Sequence, residues 1–181
     1  MIPVDVHTYI SAPREQVYDL LADLGARIAF TDHYTGDYRL ASAKPSGKGA
    51  AARYAIESPV NRQWVETTIV EAERPHRIVE ATHGGRNLRT RGEIVWELTH
   101  EGPNLTRVDL AILNQAGTFR ERLKQRLGYR GWLKRQAKKA LERLRMIFEE
   151  EPTGPLARTT VAGWEPAKGP RFGTSSRAAK G

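Results

Sequence analysis

From Thr118 to about Glu150, apolar residues return every three or four positions: Phe119, Leu123 and Leu127, then Leu133, Ala137, Ala140, Leu141, Leu144 and Phe148. That spacing draws one stripe along an α-helix. At about 1.5 Å per residue such a helix reaches on the order of 50 Å. It is longer than an ordinary strand, so one end should overhang any sheet that covers the stripe. Arg120, Arg122, Lys124, Arg126, Lys134, Arg135, Lys138, Lys139 and Arg143 fill most of the remaining positions. Gly128 and Gly131 interrupt the stripe, each at about 1 kcal/mol against alanine in a helix. They mark either a kink or a place of close packing.

The partner for that stripe lies upstream. Val4–Ile10 alternates apolar and polar residues with period two, the pattern of a half-buried strand. Ser11-Ala12-Pro13 then offers an N-cap and a first-turn proline. Val17, Leu20, Leu21 and Leu24 follow at helical spacing, Gly25 closes that helix, and a second short helix fits Ala26–Phe30. Strand patterns come next at Tyr38–Leu40, Arg53–Ile56, Gln63–Ala72, Arg77–Thr82, Leu88–Thr99 and Leu105–Leu113. Turns of a few residues separate them, at Lys44–Gly49, Ser58-Pro59, Arg74-Pro75-His76, Gly84-Gly85 and Gly102-Pro103-Asn104. Parallel neighbours need long crossovers, so these short turns imply an antiparallel meander. The expected class is α+β, a sheet wrapped around one long C-terminal helix.

Composition narrows the function. The 181 residues include no cysteine, which removes disulfides, thiol chemistry and cysteine zinc sites and suits a cytoplasmic location. Met1-Ile2-Pro3-Val4-Asp5 has neither the basic nor the apolar region of a secretory signal. No apolar run approaches the roughly 20 residues of a membrane span. Residues 1–117 hold 13 Lys+Arg against 15 Asp+Glu, residues 118–151 hold 11 against 5, and residues 152–181 hold 5 against 1. The basicity therefore sits in the helix and the end of the chain. Past Pro152 no apolar period continues, and glycine, proline and serine recur. The expected division is one domain over residues 1–151 and a disordered basic tail over 152–181.

The order of elements and several local phrases resemble the START-like, or SRPBCC, superfamily, within it the polyketide cyclase/dehydrase-like branch. Ile10-Ser11-Ala12-Pro13 running into Arg14–Leu21 is similar to the family's opening. Gly47-Lys48-Gly49-Ala50 is similar to its early glycine turn, and Glu71–Val79 to its Pro-Arg turn. Gly92–Leu98 with Thr106–Leu110 is similar to its closing strands. The likeness covers roughly residues 3–150 and implies a helix-grip fold with a cavity. It departs where the family often carries a tryptophan after the first helix, for this chain reads Ala29-Phe30-Thr31-Asp32-His33-Tyr34. The family includes cyclases, hydrolases, lipid carriers, hormone receptors and quinone-binding proteins, so the resemblance implies a pocket and not a reaction.

Chemistry-bearing residues are sparse. The five histidines show no metal-ligand spacing, so no metal and no cofactor are expected. No nucleophile elbow, phosphate loop or dinucleotide fingerprint is present. Asp32-His33 with Asp37 is the best local acid–base cluster, though a solvated polar loop reads the same way. Arg53, Glu66 and Glu93 would matter only if they pointed inward, and alternation from Trp96 puts Glu93 outward. Tyr38, Tyr54, Trp64, Ile94, Trp96 and Leu98 on strands, with Phe119, Leu123 and Leu127 on the helix, are the candidate ligand-lining residues. For any single one of them, filling the core is the commoner role. The leading expectation is binding or transport of an apolar or aromatic small molecule, such as a lipid, polyketide or quinone. One alternative is a polyketide cyclase or dehydratase using a histidine and inward tyrosines. Another is a module that docks on anionic surfaces, including weak association with an anionic membrane, through the basic helix and tail. Nucleic acid is disfavoured, because only Tyr129 and Trp132 interleave with the basic residues.

Overall fold

The computed structural model describes residues 3–59, 61–85, 90–115, 128–150, 154–161 and 163–164. Strand β1 (Val4–Ile10) leads into helices α1 (Arg14–Ala22) and α2 (Ile28–Thr31). The meander follows as β2 (Thr35–Leu40), β3 (Ala51–Ser58), β4 (Asn61–Glu73), β5 (Arg77–Gly84), β6 (Thr90–Gly102) and β7 (Leu105–Gln115). Helix α3 (Arg130–Glu149) comes next, then the short strands β8 (Thr159–Thr160) and β9 (Gly163–Trp164).

Seven antiparallel strands form one sheet in the order β1-β7-β6-β5-β4-β3-β2. Each neighbour from β2 to β7 is also the neighbour in sequence, as the short turns require, and β1 closes beside β7. Helix α3 packs against β1 and α2. It buries Leu133, Ala137, Ala140, Leu141 and Leu144, the expected stripe, among Val6, Ile10, Leu21, Phe30 and Leu110. This is the helix-grip α+β fold.

Registry puts the inward residues of the sheet in rows. Ile78, Trp96, Leu110 and Val6 make one row across β5, β6, β7 and β1. The next is Ile69, Glu80, Ile94, Ile112 and Val4. Then come Ala52, Thr67, Thr82, Gly92 and Asn114, and beyond them Tyr54, Val65, Gly84 and Thr90. The rows pass from a close-packed end to an open end.

Three local details differ from expectation. Ser11 does not cap α1, whose N-cap is Pro13 without a side-chain bond. Its hydroxyl and backbone N–H instead donate to Glu149 Oε1 at 3.0 and 3.2 Å, tying the start of the chain to the end of α3. Gly128 has φ +96°, which an L side chain rarely adopts, so the backbone breaks there and regular helix begins at Arg130. No described atom lies within 4 Å of a β-carbon placed on Gly131, so close packing does not account for that glycine. The stretch from Thr118 to Leu127 lies outside the described residues.

Part of the segment read as tail has structure of its own. Thr159 is buried; its N–H donates to the Gly25 carbonyl and its hydroxyl to the Tyr38 carbonyl, both at 2.8 Å. Arg158 pairs with Asp23 at 2.7 Å, and β8 pairs with β9. Residues 165–181 lie outside the described residues.

Candidate functional site

At the open end of the rows, the sheet and the start of α3 stand apart around a cavity of about 490 Å³. Strand β3 contributes Tyr54 and Ile56, β4 contributes Gln63 and Val65, and β5 contributes Thr82 and Gly84. Strand β6 adds Thr90 and Ile94, β7 adds Ile112 and Asn114, and Tyr129 and Leu133 close the helix side with Tyr34. The strand residues follow from period-two alternation, since all share the inward face. The size lies within the range of small-molecule sites, about 300–1,000 Å³.

The tyrosines of the wall are neutral hydrogen-bonding groups. Burial pushes the Tyr34 phenol up to about 12 and the Tyr54 phenol well above its ordinary value. Burial also raises Tyr129. Phenols held this way donate hydrogen bonds at neutral pH and do not serve as bases.

Beneath the cavity the sheet carries a charge. Glu80 faces inward between Ile69 and Ile94, with only 1% of its surface exposed. Arg27, 6% exposed, reaches it from the turn before α2 at 2.8 Å. Trp96 Nε1 donates to the same carboxylate oxygen at 2.8 Å and Thr67 Oγ1 to the other at 2.8 Å. Arg27 Nη2 also donates to the Leu21 carbonyl at 2.6 Å, and its guanidinium lies 4.8 Å from the centre of the Trp96 ring. Burial is the largest single influence on Arg27 and would lower its pKa, but the Glu80 carboxylate together with the Tyr38 and Tyr54 phenols holds the group above its ordinary value. The pair is closed on itself. Neither member lines the cavity, though Ile94, directly opposite Glu80, does.

The acid–base cluster expected at Asp32, His33 and Asp37 is taken apart by its surroundings. Asp37 pairs with Arg62, while Asp32 pairs with Arg143. His33 Nε2 lies 3.3 Å from the Gln136 carbonyl and Nδ1 3.2 Å from Arg143 Nη1. One neutral tautomer satisfies both, with Nε2–H donating and Nδ1 accepting. Burial first, and the Arg143 guanidinium second, pull the imidazole down to about 4. His33 does not line the cavity. Among the described residues no three His, Asp or Glu side chains could hold a metal ion. No helix of the described residues is long and apolar enough to cross a membrane.

Of the residues expected to line a pocket, Tyr54, Trp64 and Ile94 do. Trp64 does so at the rim, since alternation turns its indole to the outer face. There the guanidiniums of Arg53, Arg62 and Arg39 lie 5.0, 5.5 and 5.7 Å from its centre. Arg53 and Glu66 are likewise on that face, 3.7 Å apart, and Glu93 is exposed. Tyr38, Trp96 and Leu98 are buried in the core and do not line the cavity. Trp96 is drawn to Glu80, and Tyr38 stacks behind Tyr54 with ring centres 5.2 Å apart. Phe119, Leu123 and Leu127 lie outside the described residues. Sequence reading missed Tyr34, Gln63, Thr82, Ile112, Asn114 and the Arg27–Glu80 pair. Alternation along Ile78-Val79-Glu80-Ala81-Thr82 carried a signal for two of these, a carboxylate and a hydroxyl on the face of Ile78.

A family model described as polyketide cyclase / dehydrase and lipid transport matches residues 1–149. No curated protein matches the chain. Among solved structures, the solution structure of the KanY protein superposes with a TM-score of 0.68 at 17% identity, covering 82% of this chain and 97% of that one. The Zhui aromatase/cyclase from a Streptomyces species gives 0.65 at 13%, covering 82% and 93%. A START superfamily protein from Mycobacterium smegmatis gives 0.56 at 15%, covering 80% and 98%. At these identities the likeness is one of fold.

Proposed function

The chain belongs to the polyketide cyclase / dehydrase and lipid transport family, and on that premise we propose that it binds and carries an apolar or aromatic small molecule, lipid-, polyketide- or quinone-like, between sheet and α3. The observation that carries this reading is the cavity of about 490 Å³, whose wall combines aliphatic side chains and neutral phenols with a few amides and hydroxyls and with Arg62 at the rim. Apolar surface left open in this way gains by contact with an apolar ligand, at roughly 25 cal/mol per Å² removed from water. A few polar groups in such a wall orient the guest.

Binding is favoured over catalysis by the state of the titratable groups. Enolisation of a polyketide needs a base poised near neutrality. The described wall offers phenols with raised pKa values, and His33 is committed to Gln136 and Arg143 away from the cavity. In the Arg27–Glu80 pair both carboxylate oxygens and both Arg27 Nη atoms are directed at protein groups, and of the pair's polar atoms only the buried Arg27 Nε lacks a partner among the described residues.

We also propose that delivery uses a weak contact with anionic membranes. Lys134, Arg135, Lys138 and Lys139 project from the exposed side of α3, all within two turns of Leu133 of the cavity wall. Each such cation adds about 1 kcal/mol near an anionic surface.

Native mass spectrometry of gently desalted protein, followed by thermal-shift panels of lipids, quinones and aromatic polyketides, tests the main reading. A retained apolar adduct or a saturable upward shift is the expected result. A protein with no adduct and no shift in any panel would sink it, and turnover of a linear polyketide would replace it with the cyclase reading.

A further inference from the structure

Thr82 and Asn114 stand in the cavity wall on either side of Gly92, in one inward row of β5, β6 and β7. A β-carbon placed on Gly92 would lie 2.6 Å from Thr82 Oγ1 and 2.7 Å from Asn114 Oδ1. The two polar ends therefore lean over the glycine toward a common point, and any side chain at 92 would displace them. Glycine weakens a strand interior and is found where something must approach the backbone closely. Here the hydroxyl and the carboxamide do so. Among the described residues neither side chain has a hydrogen-bond partner, although Thr82 is buried. In the adjoining rows Ile94, Ile112 and Val65 are apolar, and the charge of Glu80, the inward residue just before Thr82 on β5, is already met by Arg27.

The chemistry of the notch limits what it accepts. A hydroxyl and a carboxamide each both donate and accept, and neither neutralises a charge. The buried guanidinium nearby belongs to Glu80. Arg62, the cation of the cavity rim, is half exposed and pairs with Asp37 and Glu57. Among the described residues an anionic end would find no buried partner, whereas a neutral oxygen would find two. Resting on the carrier reading, we propose that Thr82 and Asn114, opened by Gly92, form the recognition point for a neutral hydroxyl or carbonyl oxygen on an otherwise apolar ligand.

Fluorescence titration with pyrene and 1-hydroxypyrene separates this proposal from the reading beneath it. The wild-type chain should bind both and prefer 1-hydroxypyrene by about tenfold, the value of one or two neutral hydrogen bonds. The Thr82→Val/Asn114→Leu variant should lose the preference, read as the ratio of its affinities for the two probes. Thr82→Ser, which keeps the hydroxyl and disturbs packing least, should retain the preference. Equal wild-type affinities for the two probes, or a preference that survives in the double variant, overturns the recognition point and leaves the carrier reading standing. Failure of both probes to bind wild type overturns both.

Discussion

Replacing Glu80 by leucine tests the physics of the cavity floor. The carboxylate receives three donors at 2.8 Å, from Arg27, Trp96 and Thr67, and almost nothing of it meets solvent. Removing it leaves a guanidinium inside the fold without its counter-charge, a change that costs about 3–5 kcal/mol. Arg27→Met strands the carboxylate instead and should cost about as much. In the double variant no charge remains, and the leftover penalty is that of the Trp96 and Thr67 donors, about 2 kcal/mol in all. Urea unfolding of the four proteins at neutral pH measures the cycle. Each single variant should also melt roughly 6–20 °C lower, at 2–4 °C per kcal/mol for a domain of this size. Single losses below about 1 kcal/mol, or a double variant that loses the full sum, would refute the account of a closed, desolvated pair.

Ile112→Trp should fill the cavity and abolish uptake of pyrene at a stability cost of about 1–3 kcal/mol, read by fluorescence and by urea midpoint; undiminished binding would place the guest elsewhere. His33 has its folded pKa pulled down to about 4, below the ordinary value near 6.5. The unfolded chain therefore takes up the proton first. Its contribution is complete above about pH 6.5 and is lost as pH falls toward 4, about 1 kcal/mol after solvent screening of a partly exposed ring. The pH dependence of the urea midpoint should flatten over that window in His33→Asn, and an unchanged slope would contradict it. Lys134→Glu/Lys138→Glu should weaken sedimentation with anionic vesicles by tenfold or more at low salt, while vesicles of neutral lipid show no difference; equal binding by the variant would remove α3 from the contact. Thr159→Val should cost about 1 kcal/mol through the lost bond to the Tyr38 carbonyl, and a cost near zero would show that the segment adds nothing to the fold.

The architecture was legible because its signals are local. Short turns dictated antiparallel neighbours, and the stripe from Leu133 to Leu144 identified the buried side of α3. The strands then came out a few residues longer than read, since Gly36, Asn61 and Asn114 belong to them without looking like strand formers. The site was legible only in part, because it depends on which rows stay open. Tyr54, Ile94 and Trp96 all share the inward face, yet Trp96 is taken into the core by a carboxylate sixteen positions away and Ile94 is left on the wall. Arg27 and Glu80 lie 53 positions apart and meet only through the curl of the sheet. Ser11 shows the same limit on a smaller scale, for a good cap was available and Glu149, 138 positions distant, offered the better acceptor.

The ion pair under Ile94 also sets a depth. An apolar chain pushing farther along the rows would have to part Arg27 from Glu80 and give neither of them a new partner. The desolvated charges are thus a hard stop at a fixed distance from the rim. On the carrier reading, a guest of the right length would rest its inner end beside Thr82 and Asn114, and a longer one would leave its far end outside in water. On that reading the floor would work as a gauge, selecting ligands by reach before any hydrogen bond selects them by kind.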